Sequence, residues 1–278
     1  VDAEYQTYEL STRLVILTNI CVIVYAKYYA LQGESAVHYD FDGKVALITG
    51  AGGGIGRATG IAFGKSGASV VVSDVSVKGG EETVALIEQA GGKAIFVACD
   101  VADADAVNNV VAQAVKTFGR LDYGHNNAGI TNIQSSEWDE DVWDRSLSIN
   151  LTGVMHCMRA EVDAMLLSGG GAIVNTSSIN GFTGNASQPA YVATKHGVIG
   201  LTRHGALKWA KQNIRVNAVC PGVIETAMTE MVSSNPQYLA KMESMTPLGR
   251  MGQPEEIAAA VLWLCSDQAS FVTGHPLV

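Results

Sequence analysis

Short apolar segments alternate with longer helical patterns, and this alternation constrains the fold more than any other feature of the sequence. Strands that alternate with helices build βαβ units with parallel strands. The apolar runs lack strict polar alternation, as is typical of strands buried on both faces. The sequence therefore predicts an α/β fold with one doubly wound parallel sheet, spanning residues 41–278 as a single domain. The predicted strands are KVALIT (44–49), SVVVSD (69–74), AIFVACD (94–100), a short run near 121–125, AIVNTS (172–177) and IRVNAV (214–219). The predicted helical stretches include 55–66, 81–90 and a pattern that ends at Phe118.

Composition narrows the class of protein further. Of the 278 residues, 47% are hydrophobic and 16% are charged, which excludes a disordered chain. The net charge of −9 disfavours a nucleic-acid partner, because phosphate binding needs a basic face. The five cysteines show no C-x-x-C spacing and the six histidines no H-x-x-x-H pairing. We therefore predict reduced thiols, a cytoplasmic location and no metal site.

Residues 1–40 form an N-terminal extension with an apolar run at 14–26, flanked by Arg13 and Lys27. The run has 13 residues, fewer than the roughly 20 that a membrane span requires. The acidic residues before it do not match the basic start of a signal peptide. A packed or oligomer-contact element is the favoured interpretation; a membrane anchor and a non-native leader are the alternatives.

A glycine-rich turn follows the first predicted strand. In TGAGGGIG (49–56), Gly50, Gly54 and Gly56 permit a tight turn and close packing of helix on strand. The helix that follows offers free N–H groups and a positive dipole end to a pyrophosphate. Asp74 ends the second strand, 18 residues after Gly56, where a carboxylate accepts hydrogen bonds from the adenosine ribose hydroxyls. Because Val75 supplies no cation for a 2′-phosphate, this pattern favours NAD over NADP.

Ordered motifs across residues 41–278 resemble the short-chain dehydrogenase/reductase family. TGAGGGIG is similar to the family's TGxxxGIG turn, and Asp100-Val101 is similar to its acidic pair after the third strand. The remaining matches are NNAG (126–129), Asn150 in SINLTG, the strand IVNTSS (173–178), YVATK (191–195) and PGVIET (221–226). The Tyr-x-x-x-Lys motif lies 13 residues after Ser178, which is the family's spacing.

The resemblance implies a Rossmann-type fold with a small helical substrate lid, and it assigns roles to individual residues. Ser178 orients the substrate oxygen, Tyr191 is the general acid/base, Lys195 supports it and holds the nicotinamide ribose, and Asn150 anchors a water in a proton relay. The implied catalytic residues are Asn150, Ser178, Tyr191 and Lys195, and the cofactor-binding residues are Gly50, Gly54, Ile55, Gly56, Asp74, Asp100, Val101, Asn127, Tyr191, Lys195, Ile224 and Thr226.

Proton transfer near neutral pH requires Lys195 beside Tyr191, because a tyrosine ordinarily titrates near pH 10. Lys195 lies one helical turn after Tyr191 on the same helix face, where its ammonium favours the phenolate. We therefore predict an NAD(H)-dependent oxidoreductase of secondary alcohols or ketones. The alternatives are a 3-oxoacyl-thioester reductase, which Asp74 and Gly53 disfavour, and a dinucleotide sensor without turnover.

Residues 227–245, after Thr226, match the family's substrate lid and hold four of the eight methionines, with Lys241 as their only basic residue. This composition favours a neutral, hydrophobic substrate. The family resemblance implies a homotetramer or a dimer.

The sequence departs from the family pattern at two places. Tyr123-Gly124-His125 replaces the usual apolar strand, and we expect His125 to be packed. The chain stops at FVTGHPLV (271–278), which puts the last strand in doubt and suggests truncation.

Overall fold

The computed structural model describes residues 39–131 and 138–278. The apolar run at 14–26 lies outside the described residues, so its predicted role stays a prediction.

The described residues contain seven β-strands and nine α-helices. The strands are β1 (Val45–Thr49), β2 (Ser69–Asp74), β3 (Lys93–Ala98), β4 (Tyr123–Asn126), β5 (Gly171–Thr176), β6 (Ile214–Val219) and β7 (Pro276–Leu277). The helices are α1 (Gly54–Lys65), α2 (Val77–Gln89), α3 (Ala104–Phe118), α4 (Glu140–Leu147), α5 (Gly153–Ser168), α6 (Pro189–Trp209), α7 (Glu230–Ser233), α8 (Pro236–Met245) and α9 (Pro254–Cys265).

All seven strands pair in parallel in one sheet of order β3-β2-β1-β4-β5-β6-β7. One face of the sheet packs on α3, α5 and α6, through residues such as Leu47 and Ile173. The other face packs on α1, α2 and α9, through Ile48 and Val174. The doubly wound parallel sheet predicted from the apolar runs is therefore confirmed.

The strand order reverses between β1 and β4, which are neighbours in the sheet although two strands separate them in sequence. At such a switch point the loops that leave the carboxyl ends of the strands diverge to opposite sides and open a crevice. The loops after β1, β4 and β5 meet at this edge of the sheet.

Most boundaries lie within one residue of the predicted ones, and three larger differences remain. Helix α2 begins at Val77 and not near 81, because Ser76 caps it by accepting a hydrogen bond from the Gly79 N–H at 3.2 Å. Strand β3 ends two residues before the predicted end at Asp100. The last strand, which the sequence placed in doubt, is present as the two-residue β7 and pairs with β6.

Candidate active site

Three glycines of the turn between β1 and α1 lie where a side chain would be strained or would clash with its neighbours. Gly50 has a φ of +63°, and a Cβ atom there would lie 2.7 Å from the Cα of Ala128. A Cβ atom on Gly56 would lie 2.2 Å from the carbonyl oxygen of Gly50. Gly54, with a φ of +50°, approaches the side chain of Thr226, with 3.1 Å between its Cβ position and Cγ2. These positions require glycine.

The first turn of α1 is available to an anion. Its N-cap residue, Gly53, is extended and makes no side-chain hydrogen bond to the helix, so no side chain caps the backbone N–H groups around Ile55. Uncapped N–H groups at the positive end of a helix are the common partners of phosphates. The turn therefore fits the pyrophosphate of a dinucleotide.

The Asp74 carboxylate closes the same end of the crevice. One oxygen accepts a hydrogen bond from the Gly52 N–H at 2.8 Å and the other accepts one from the Ser76 N–H at 2.8 Å. The Arg57 guanidinium is engaged elsewhere: it donates to the Gly52 carbonyl at 2.6 Å and to the Thr83 hydroxyl at 2.9 Å. Asp74 thus faces the crevice with no cation paired to it among the described residues.

The remaining predicted cofactor residues lie around the crevice. Asp100 is exposed just beyond β3, and Val101 is buried where a Cβ atom on Gly153 would come within 2.7 Å of its Cγ2. Ile224 is buried and bridges to Gly252, which fixes the loop after β6. Thr226 then begins the short helical turn that leads into α7 and α8.

Asn127 ties together the three strands that border the crevice. Its side-chain amide donates to the carbonyls of Thr49 and Gly50, at 3.2 and 3.1 Å, and accepts a 3.4 Å hydrogen bond from the Thr176 hydroxyl. Its backbone N–H donates to the Thr49 hydroxyl at 3.1 Å. Asn127 therefore shapes the floor of the crevice through contacts with the ends of β1 and β5.

Ser178, Tyr191 and Lys195 come together at the end of β5 and the start of α6. The Ser178 hydroxyl lies near the Tyr191 phenol and lowers its pKa. The Lys195 ammonium lies 5.5 Å from the centre of the Tyr191 ring and donates to the Thr176 carbonyl at 2.8 Å. The structure thus assembles the three residues that the sequence motifs singled out.

Burial sets the protonation states of this group. Burial raises the pKa of Tyr191, and the Ser178 hydroxyl opposes that rise. Burial lowers the pKa of Lys195 to about 8, which leaves the ammonium mostly charged at neutral pH. The phenol is therefore protonated near pH 7 and can donate a proton to a bound oxygen.

Asn150 lies in a π-helical turn (148–152) between α4 and α5. Its side-chain amide pairs with both backbone groups of Ile130, accepting from the N–H at 2.8 Å and donating to the carbonyl at 2.9 Å. A Cβ atom on Gly129 would lie 3.2 Å from Asn150 Oδ1 and 3.6 Å from Lys195 Nζ, so both groups border one spot. The structure thus shows Asn150 anchoring the segment after β4, and its predicted water-anchoring role stays a prediction.

Sequence reasoning missed several supporting contacts. The Thr176 carbonyl, which receives Lys195, carries no side-chain signal at all. Gln188, at the N-cap of α6, donates to the Thr131 hydroxyl at 2.5 Å and joins the same segment to the tyrosine helix. His125 is buried and packed, as expected, with its Nε2 2.9 Å from the Thr176 hydroxyl.

No group of three or more histidine, cysteine or acidic side chains in residues 39–131 and 138–278 is placed to hold a metal ion. None of the helices in those same ranges combines the length and apolar character needed to cross a membrane.

A doubly wound sheet, a phosphate-binding turn and a Ser-Tyr-Lys group at the switch point together define a dinucleotide-binding oxidoreductase. A family model described as "Enoyl-(Acyl carrier protein) reductase" matches residues 50–278. The chain is 44% identical to cyclohexanol dehydrogenase from Acinetobacter sp. (strain SE19), over 88% of this chain and 96% of that protein. It is 43% identical to 3-oxoacyl-[acyl-carrier-protein] reductase FabG from Thermotoga maritima, over 84% of this chain and 95% of that protein.

Among solved structures, carveol dehydrogenase from Mycobacterium avium in complex with NAD superimposes with a TM-score of 0.81 at 32% identity, covering 85% of this chain and 95% of that one. The chain belongs to the short-chain dehydrogenase/reductase family. It is an oxidoreductase that acts on CH–OH groups.

Proposed function

We propose that this protein is an NAD(H)-dependent dehydrogenase of neutral, hydrophobic secondary alcohols, and a reductase of the corresponding ketones. The observation that carries the reaction type is the Ser178, Tyr191 and Lys195 group, whose geometry suits proton transfer to and from an alcohol oxygen. The nicotinamide ring, when bound, supplies or receives the hydride.

In this proposal the four catalytic residues have separate tasks. Ser178 holds the substrate oxygen beside the Tyr191 hydroxyl, which donates its proton during ketone reduction and accepts one during alcohol oxidation. Lys195 holds the nicotinamide ribose, and its positive charge stabilises the phenolate in the oxidative direction. Asn150 anchors a water in a proton relay behind Lys195, and its contacts with Ile130 keep the segment after β4 in place.

The preference for NAD rests on the adenosine end of the crevice. The Asp74 carboxylate suits the two ribose hydroxyls and repels a 2′-phosphate. Gly53, where a basic side chain would favour NADP, has no atom within 4 Å of its Cβ position, so the fold leaves room for such a side chain but the sequence does not supply one. The solved relative in complex with NAD supports the same preference.

The substrate class follows from the lid and from the relatives. Met228 and Met231 lie exposed on the lid beside the loop after β6, and helix α8 buries none of its residues, so the lid presents adaptable apolar surface. One relative is named for cyclohexanol and the solved structure for carveol. A 3-oxoacyl-thioester reductase is the second candidate, favoured by the Thermotoga relative and disfavoured by Asp74 and Gly53.

The test is an absorbance assay at 340 nm with cyclohexanol and cyclohexanone, each with NAD(H) and NADP(H). We expect turnover with NAD(H) and a higher kcat/KM for it than for NADP(H). Asp74→Ala should raise the KM for NAD about tenfold or more, as expected for the loss of charge-assisted hydrogen bonds. Gly53→Arg should lower the KM for NADP, and the exposed Glu81→Ala serves as the control. An unchanged NAD-to-NADP ratio in Asp74→Ala would refute the cofactor proposal.

We also propose a cytoplasmic enzyme whose 41–278 domain assembles as a homotetramer or a dimer. Leu167 at the end of α5 is 87% exposed, Leu207 near the end of α6 is 88% exposed, and Phe271 is fully exposed. Large apolar side chains at such exposure are costly in water and are typical of contact surfaces. Light scattering on the purified protein should give a multiple of the chain mass, and a monomer at micromolar concentration would refute this assembly.

A further inference from the structure

A buried acidic side chain lies beneath the sheet, away from the catalytic group. Glu161 of α5 is fully buried, and among the described residues its carboxylate accepts one hydrogen bond, from the Asn126 side-chain amide to Oε2 at 3.0 Å. No cationic side chain pairs with it in the part of the chain that the structure describes. Burial raises its pKa to about 7, which reflects the cost of placing a carboxyl group there.

Gly124 of β4 supplies the space for this carboxyl group. A Cβ atom on Gly124 would lie 2.4 Å from Oε1 of Glu161 and 2.5 Å from its Cδ. The unusual Tyr123-Gly124-His125 segment of the sequence is thereby explained in part, because the glutamate on the helix fits only opposite a glycine in the strand. An apolar side chain could fill the same volume without the desolvation cost.

Hydrogen bonds connect the Glu161 carboxyl group to the ends of β4 and β5, which frame the active site. Asn126 donates to Glu161 and also to Oδ1 of Asn175, its partner in the β4–β5 ladder, at 3.0 Å. Asn175 in turn donates to the Thr202 hydroxyl on α6 at 2.9 Å. This chain of contacts links α5, β4, β5 and α6.

The next residue along each strand belongs to the site. Asn126 is followed by Asn127, which shapes the crevice floor, and Asn175 is followed by Thr176, whose carbonyl receives the Lys195 ammonium. A shift of either strand end would therefore move the lysine or the floor. A displacement of about 1 Å in an active site can lower a rate by as much as about 100-fold.

We propose that Glu161 is a positioning residue for hydride transfer, an inference that rests on the proposed function. Through Asn126 and Asn175 it fixes the ends of β4 and β5, and so holds Lys195 at its working position. It does not touch the substrate or the cofactor.

The test compares Glu161→Gln, Glu161→Leu and the control Asp163→Asn, an exposed acid on the same helix. NADH formation with cyclohexanol gives kcat and KM, fluorescence titration gives the Kd for NAD, and thermal denaturation gives Tm. We expect Glu161→Leu to lose about tenfold or more in kcat with KM and Kd changed less than about twofold. Glu161→Gln should keep most of kcat, because its amide oxygen can still accept the Asn126 hydrogen bond.

A second pair of variants separates position from stability. Gly124→Ala should lower both Tm and kcat, since its methyl group displaces the Glu161 carboxyl. The double variant Gly124→Ala/Glu161→Ala should recover Tm but not kcat. Wild-type kcat in Glu161→Leu, or in the folded double variant, would overturn the inference while the proposed function stands. Absence of turnover in the wild-type protein with either dinucleotide would refute both.

Discussion

Replacing Glu161 with glutamine should change how stability depends on pH. Folding raises the pKa of this carboxyl from an ordinary 4.5 to about 7 through burial. The free energy of unfolding contributed by the group is therefore highest below pH 4.5 and falls as the pH rises through 7. At about 1.36 kcal/mol per pKa unit, the full shift corresponds to about 3 kcal/mol, of which about 2 kcal/mol falls between pH 5 and pH 8.

Buried His125 acts with the opposite sign over the same range. Burial lowers its pKa to about 3, so its contribution to stability is lost as the pH falls below the ordinary value of 6.5. The two effects nearly cancel in the wild-type protein, at about 2 kcal/mol each between pH 5 and pH 8. Removing the carboxyl leaves the histidine effect alone.

Urea denaturation at pH 5 and pH 8 measures the difference. In the wild-type protein, the effects of Glu161 and His125 on the free energy of unfolding nearly cancel between pH 5 and pH 8. Relative to the wild-type protein, the free energy of unfolding of Glu161→Gln should rise by about 2 kcal/mol from pH 5 to pH 8. Subtraction of the wild-type values removes every other titrating group. A Glu161→Gln curve parallel to the wild-type curve would show that Glu161 is ionised at its ordinary pKa in the folded chain, and the argument from burial would fail.

Two further perturbations test the fold and the cofactor turn. Asp122→Ala should lower the free energy of unfolding by about 3 kcal/mol in urea denaturation. The reason is that Asp122 accepts hydrogen bonds from the buried Val45 N–H and from the Arg120 guanidinium. A loss below about 1 kcal/mol would contradict this. Gly56→Ala should weaken NAD binding about tenfold or more in a fluorescence titration, because its Cβ would lie 2.2 Å from the Gly50 carbonyl oxygen. An unchanged Kd would show that the turn does not bind the pyrophosphate.

Much of the architecture could be predicted because the strands are apolar runs of ordinary length. The order of α/β elements, the glycine-rich turn and the position of Asp74 all follow from local pattern. The sequence pattern places the start of α2 too late because Gly79 and Gly80 lower helix propensity. In the structure, Gly80 makes room for the Phe96 ring, because a Cβ atom on Gly80 would lie 2.1 Å from that ring.

The site was predictable where its residues carry motifs and not where geometry alone brings groups together. Ser178, Tyr191 and Lys195 have a recognisable spacing, and parallel strands bring their loops to one edge. Glu161 has no such signal, since an acid on a helix is ordinarily solvent-exposed. Its burial depends on sheet register and on the missing side chain of Gly124. The contact between Gln188 and Thr131 likewise depends on the tertiary fold.

The central claim is that Tyr191 transfers the proton while hydride moves to or from NAD. The direct measurement is the rate of NADH formation from cyclohexanol by Tyr191→Phe and by the wild-type protein, with the Kd for NAD measured on the same samples. We expect kcat to fall by about 1000-fold in the variant, with the Kd for NAD changed less than about threefold. A variant that turns over within tenfold of the wild-type rate would contradict the mechanism.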